Sequence, residues 1–140
     1  MDVQHPGGAL AYGFAELRSP STALAHMPDN ALVLAEAKRT LSSWRESFSQ
    51  FVRGGSFLVQ NTTYSTEEYE HERGWGHSTY RDGVELALEA GARTLVLFHH
   101  EPRPSDEELD RSAEECRLIV DERGGALEVA IAAEGLAQST

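Results

Sequence analysis

Five of the six histidines, His5, His26, His77, His99 and His100, fall in or beside segments that read as strand ends and turns, as do Asp29 and Asn61. Imidazoles and carboxylates converging from several loops are what a divalent transition metal requires, and one shared carboxylate can hold two ions together. The sharpest position closes the run Thr94-Leu95-Val96-Leu97-Phe98-His99-His100-Glu101-Pro102, an apolar strand ending in two imidazoles and a carboxylate. Side chains at the carboxyl end of such a strand project from a rigid sheet into a crevice, where α/β proteins place their chemistry. Taken singly, each histidine reads first as a hydrogen-bonded structural residue. Asp29 likewise reads as a turn or capping residue after Pro28, and His77 as a helix cap. His71 has no spacing that suggests a ligand.

The elements that must position these groups follow from periodicity and from the breakers between them. Ala9, Leu10, Ala11, Tyr12, Phe14, Ala15 and Leu17 predict a strand over residues 8–17, entered through Pro6-Gly7-Gly8. A second strand over 21–26, joined to it by the turn Arg18-Ser19-Pro20, completes a hairpin that Met27-Pro28-Asp29-Asn30 stops. A helix lies within 31–52, where Leu41, Trp44, Phe48, Phe51 and Val52 recur at spacings of three and four, and Gly54-Gly55 closes it. Next come a strand over 56–60, the polar turn Asn61-Thr62-Thr63 and a short acidic helix around 66–70. Residues 79–90 form a helix capped by Ser78 or Thr79, with Asp82 at its positive end and Gly91 ending it. A strand over 93–98, a helix over 105–121 and a strand over 126–132 complete a βαβ pattern, with helices on at least one sheet face. Trp75 and Tyr80 read as packing residues.

The chain has 140 residues, 40% of them hydrophobic and 25% charged, which is one soluble domain with a modest core. Acidic residues outnumber basic ones by 23 to 12, the net charge is -11, and Lys38 is the only lysine. That balance opposes a nucleic-acid partner and disfavours tRNA processing in particular, since no basic, Gly-rich arm is present to grip RNA. The acidic runs at 67–70 and 106–110 read as solvated helix faces. Cys116, the only cysteine, shares a helical face with Leu109, Ala113 and Val120 and reads as a small buried residue. No apolar run approaches 18 residues and no basic-apolar leader follows Met1, so the expectation is no membrane span, no signal peptide and a cytoplasmic setting.

The order of the motifs is more specific than any one of them. It runs His5-Pro6-Gly7-Gly8, Met27-Pro28-Asp29, Leu58-Val59-Gln60-Asn61-Thr62-Thr63-Tyr64, Gly76-His77-Ser78-Thr79, then Leu95-Val96-Leu97-Phe98-His99. This resembles the C-terminal half of the metallo-β-lactamase fold hydrolases, specifically their ribonuclease Z-like branch, over nearly the whole chain. The resemblance implies an α/β fold: a β-sheet with covering helices that is half of an αββα sandwich, a single partial domain over 1–140. It further implies two zinc ions, with His5 completing the first metal's ligands, Asp29 bridging the metals and His99 ligating the second. His77 would donate a proton to the leaving group, and His100 would stand behind His99 as a bystander.

Two departures accompany the resemblance. The family's opening His-x-His-x-Asp-His motif, which supplies most of the metal ligands, is absent, so the ligand set is incomplete: three ligands cannot fill two zinc shells of about four donors each. At Gln60-Asn61 relatives commonly carry His followed by Glu or Asp, a carboxylate that orients the proton-donating histidine. Asn61 can still accept a hydrogen bond there but cannot stabilise an imidazolium by charge. Two functions follow as expectations. One is a metal-dependent hydrolase of a phosphodiester or small ester, inactive as this chain alone. The other is a degenerate, non-catalytic acidic interaction module, whose uncovered apolar sheet face a second copy or a partner would cover.

Overall fold

Three helices begin where a hydroxyl and a carboxylate reciprocally satisfy the amides of the first turn. In the computed structural model, which describes residues 1–3, 5–15, 22–32, 38–72 and 74–137 without the side chains of 22, 23 and 38–42, helices α2 (Thr66–Tyr69), α3 (Tyr80–Ala90) and α4 (Asp106–Arg123) carry capping boxes. The pairs are Ser65 with Glu68, Thr79 with Asp82, and Ser105 with Glu108. Helices α3 and α4 end on Gly91 and Gly124 in the left-handed conformation, which lets backbone amides close the last turn without a Cβ penalty. Helix α1 (Lys38–Val52) occupies the later part of the expected helical region.

Strands β3 (Tyr12–Ala15), β4 (Thr22–Met27), β5 (Phe57–Asn61), β6 (Thr94–Phe98) and β7 (Glu128–Ile131) form one sheet in sequence order. The β3–β4 pair is antiparallel, as expected of a hairpin, and the remaining pairs are parallel. Glu16 and Leu17 of the expected first strand, the turn at 18–20 and Ser21 lie outside the described residues. Instead of one strand over 8–17, the chain divides at Ala11. Residues Ala9–Leu10 form β2, paired with the unanticipated β1 (Asp2–Val3), while Tyr12–Ala15 join the main sheet. Backbone bonds in both directions between Met1 and Ala11 fix the break, and Ala11 is buried there. Alternation along one strand does not say which partner each half will choose.

Register divides the parallel strands into two faces. Ala25, Leu58, Leu95 and Val129 align across the sheet, as do Met27 and Leu97 one pleat further on, and all of these join the buried cluster with Val84, Ala87, Cys116 and Val120 from α3 and α4. Each fully buried leucine contributes about 2 kcal/mol. The alternate rows, with Leu24, His26, Phe57, Val59, Val96 and Phe98, face the other way and belong to no part of that cluster. On this second face Leu24, Phe57, Val59 and Val96, with Ala132, Ala133 and Leu136, line an open hollow of about 430 Å³.

Candidate functional site

The parallel strands β4, β5 and β6 end side by side, and the loops leaving them carry the site. Asp29 follows β4, Asn61 ends β5, and His99 follows β6. The loop before α3 brings in Gly76, His77 and Ser78. Donor atoms of Asp29, His77 and His99 lie within 4.8 Å of one another. The structure therefore gathers three of the expected site residues at the carboxyl edge of the sheet. His5 stays outside that trio, its ring centroid 6.1 Å from that of His77.

Asn61 and Ser78 tie these loops together. Asn61 has no exposed surface, and its amide makes four bonds. Its Nδ2 donates to the Pro28 carbonyl (2.9 Å) and to His77 Nδ1 (2.9 Å), and its Oδ1 accepts from the Ser78 amide (3.2 Å) and from Thr63 Oγ1 (3.3 Å). Asn61 thus donates to His77 instead of accepting from it, because the Pro28 carbonyl and the Ser78 amide fix which end of the side-chain amide faces the ring. Ser78 Oγ donates to the Asn30 carbonyl (2.5 Å) and accepts from the Leu32 amide (3.2 Å), which fixes the chain just beyond Asp29.

His99 adopts φ 64, the only left-handed non-glycine residue described. Such a conformation persists where surrounding contacts over-determine it. Here Thr63 Oγ1 supplies one, donating to the His99 carbonyl at 3.0 Å and lying 3.4 Å from His99 Nδ1. The hydroxyl's single hydrogen is shared between two oxygens, the His99 carbonyl and Asn61 Oδ1 at 3.3 Å, so a lone pair faces Nδ1, which carries the ring hydrogen. His99 Nε2 then presents a lone pair to Asp29 Oδ1, 3.5 Å away. With the ring neutral, two acceptors in that arrangement can share a cation. Two donors on a tetrahedral zinc, each about 2.0–2.2 Å from it, stand roughly 3.3–3.6 Å apart. On donor chemistry and separation, Asp29 and His99 fit one edge of a zinc site.

Burial holds the His77 imidazole below its ordinary pKa, the neighbouring His99 acts in the same direction, and Asp29 opposes both. His77 also meets His99 at a ring-centroid distance of 4.8 Å and Tyr64 at 6.1 Å. His5 is seated by Gly76 at φ 94: a Cβ on that glycine would fall 2.5 Å from His5 Cδ2. His5 Nδ1 accepts from the Gly7 amide at 3.3 Å, leaving Nε2 to face outward from that turn.

Several residues stand elsewhere than their sequence context suggests. His100 is half-buried; burial lowers its pKa, the Leu97 carbonyl partly offsets this, and among the described residues its ring makes no hydrogen bond to His99. Trp75 is 67% exposed between Gly74 and Gly76, both at positive φ, and does not pack as expected, whereas Tyr80 is buried in the core. His26 lies on the open sheet face, its ring 5.2 Å from Phe98. Thr63 was missed as a site residue; its signal was two residues' spacing from Asn61 in a turn leaving a strand. Cys116 is fully buried as expected, and burial pushes its thiol up to about 12.

The fold is that of part of a metallo-β-lactamase-fold protein. The metallo-β-lactamase fold protein YhfI from Bacillus subtilis superposes with a TM-score of 0.70 over 97% of this chain and 46% of that one, at 19% identity. Within that fold the chain is ribonuclease Z-like in sequence. It is 38% identical over 66 residues to ribonuclease Z of Brevibacillus brevis, covering 47% of this chain and 21% of that protein. It is 40% identical over 81 residues to ribonuclease Z of Kineococcus radiotolerans, covering 58% and 25%. With ribonuclease BN of Cronobacter sakazakii the identity is 39% over 62 residues, 44% and 20%. The matched segments thus span about a fifth to a quarter of these relatives. No family model matches the chain. Among the described residues no helix is long and apolar enough to cross a membrane.

Proposed function

We propose that this chain carries the carboxyl-side part of a metal-dependent hydrolase site for a phosphodiester or small ester. The observation that carries the reading is the facing pair of His99 Nε2 and Asp29 Oδ1 at 3.5 Å, with His77 beside it. Asp29 and His99 would hold zinc, His5 joining them through its outward Nε2. A bound zinc pair supplies Lewis acidity and a water of lowered pKa. The chain's own residues do the rest: His77 presents its Nε2 side to the leaving-group oxygen, Asn61 and Thr63 hold the two imidazoles, and Gly76 keeps His5 close.

Two or three ligands do not complete a dinuclear site, so the remaining donors belong to polypeptide that packs on the open face of the sheet. The apolar residues Leu24, Phe57, Val59 and Val96 around that hollow favour such a covering partner. The isolated chain is then inactive, and a small substrate is preferred to RNA given the net charge of -11. Alternatively, the same face supports a non-catalytic interaction module.

Zinc calorimetry on the 140-residue chain, followed by assay against bis(p-nitrophenyl) phosphate, tests the reading. The expected result is a single, weak zinc site that His99→Ala removes, and no turnover until the complementary half is added. Zinc binding that His99→Ala leaves intact would overturn the ligand assignment. Absence of any zinc binding, or of turnover after reconstitution, would leave the interaction module as the better account.

A further inference from the structure

The Asn61 amide is held in one orientation by two backbone groups whose roles cannot change. Its Oδ1 lies 3.2 Å from the Ser78 amide nitrogen, which can only donate, and its Nδ2 lies 2.9 Å from the Pro28 carbonyl, which can only accept. Inverting the amide would set N–H against N–H and oxygen against oxygen in a residue with no exposed surface, leaving both backbone groups unsatisfied. The remaining Nδ2 hydrogen therefore points at His77 Nδ1, 2.9 Å away. That ring nitrogen must present its lone pair, and in a neutral imidazole the hydrogen then resides on Nε2.

We propose that Asn61 is a positioning residue that fixes His77 as the neutral Nε2–H tautomer, so that His77 meets an anionic substrate oxygen as a hydrogen-bond donor and not as a metal ligand. The role assigned to the substrate oxygen rests on the hydrolase reading; the tautomer does not. Of the three clustered donors, Asp29 and His99 are left to hold a cation, and His77 is assigned to substrate. Complete loss of its hydrogen would leave an imidazolate, so His77 lends charge stabilisation through the bond itself. A carboxylate in place of Asn61 would accept from Nδ1–H and turn the ring's chemistry round. The amide instead sets a donor where a carboxylate sets an acceptor.

Long-range 1H–15N NMR on the full chain labelled in histidine, at a pH well above the imidazole range, reads this directly. His77→Gln identifies the His77 signals by their loss. Wild-type His77 is expected to show a pyridine-type shift at Nδ1 and a pyrrole-type shift at Nε2. A pyrrole-type Nδ1, or averaged shifts at both nitrogens, overturns the proposal. Asn61→Asp removes the Nδ2 hydrogens and should exchange the two shift types. If that variant folds and His77 keeps Nε2–H, Asn61 is not the cause and the proposal fails. If it does not fold, the wild-type pattern decides. Zinc calorimetry on the same sample separates the two readings, because loss of zinc binding refutes the hydrolase while leaving the tautomer standing.

Discussion

His99 Nε2 and Asp29 Oδ1 face each other at 3.5 Å across the ends of β6 and β4. Neither residue owes its place to its neighbours in sequence; the parallel register of β4, β5 and β6 puts them together.

Removing either partner should therefore abolish most cation binding. Outer partners of a metal ligand cost about 10- to 100-fold in affinity when lost, so His99→Ala and Asp29→Ala should each cost at least that much. Zinc calorimetry checks it, with an unchanged circular dichroism spectrum as the control for folding.

Thr63→Val keeps the shape of the side chain and removes the hydroxyl that donates to the His99 carbonyl and faces Nδ1. Zinc affinity should fall about 10-fold, the lower end of the range for a supporting group. Thermal unfolding should show a loss of about 1 kcal/mol for the hydrogen bond. Equal affinity in the variant would mean that Thr63 does not orient His99.

Gly74 and Gly76 offer a controlled comparison. Both have positive φ, so alanine at either position costs about 1–2 kcal/mol of backbone strain. Only at Gly76 would the new Cβ also meet His5 and Pro6; at Gly74 it meets nothing within 4 Å. Gly76→Ala should shift the His5 ring resonances and lower Tm beyond Gly74→Ala, whereas equal effects would show that His5 is not seated by Gly76.

Burial lowers the pKa of His26, His77 and His100. In the unfolded chain each titrates near the ordinary value of about 6.5, so just below that pH the unfolded state binds more protons than the folded one. Stability then falls as pH drops from about 6.5 through the lower folded values. Thermal unfolding between about pH 7.5 and 5.5 should show Tm decreasing with pH; a Tm that rises on acidification would contradict the burial of these rings.

Cys116 should be inert in the folded chain, being fully buried with its thiol pushed up to about 12. A thiol-reactive disulfide reagent should label it only after denaturant is added. Labelling of the native protein at a rate similar to that of the unfolded chain would place Cys116 outside the core.

Local chemistry was readable in advance wherever a few adjacent residues decide the outcome. Thr79 with Asp82 and Gly91, and Ser105 before its acidic first turn, bracket α3 and α4 because capping is settled within four residues. The division of 8–17 at Ala11 was not readable, since Ala9–Leu10 and Tyr12–Ala15 choose different partners through pairing with distant segments. Trp75 was misjudged for a similar reason. An aromatic side chain packs only if the backbone aims it inward, and two positive-φ glycines aim it out.

What the sequence by itself determined is the set of strand ends at which His99, Asp29 and Asn61 stand and the helix start before which His77 stands, because hydrophobic runs, caps and breakers are local. Tertiary structure alone decided which of them meet, which stays apart, and which way each hydrogen bond runs. His5 stands off from the trio and, among the described residues, His100 makes no hydrogen bond to His99, although both lie in suggestive sequence contexts. Asn61 donates to His77, not the reverse, because the Pro28 carbonyl and the Ser78 amide, 33 and 17 residues away, fix its amide. Hydrogen-bond direction depends on partners brought together by folding, and no spacing along the chain encodes it.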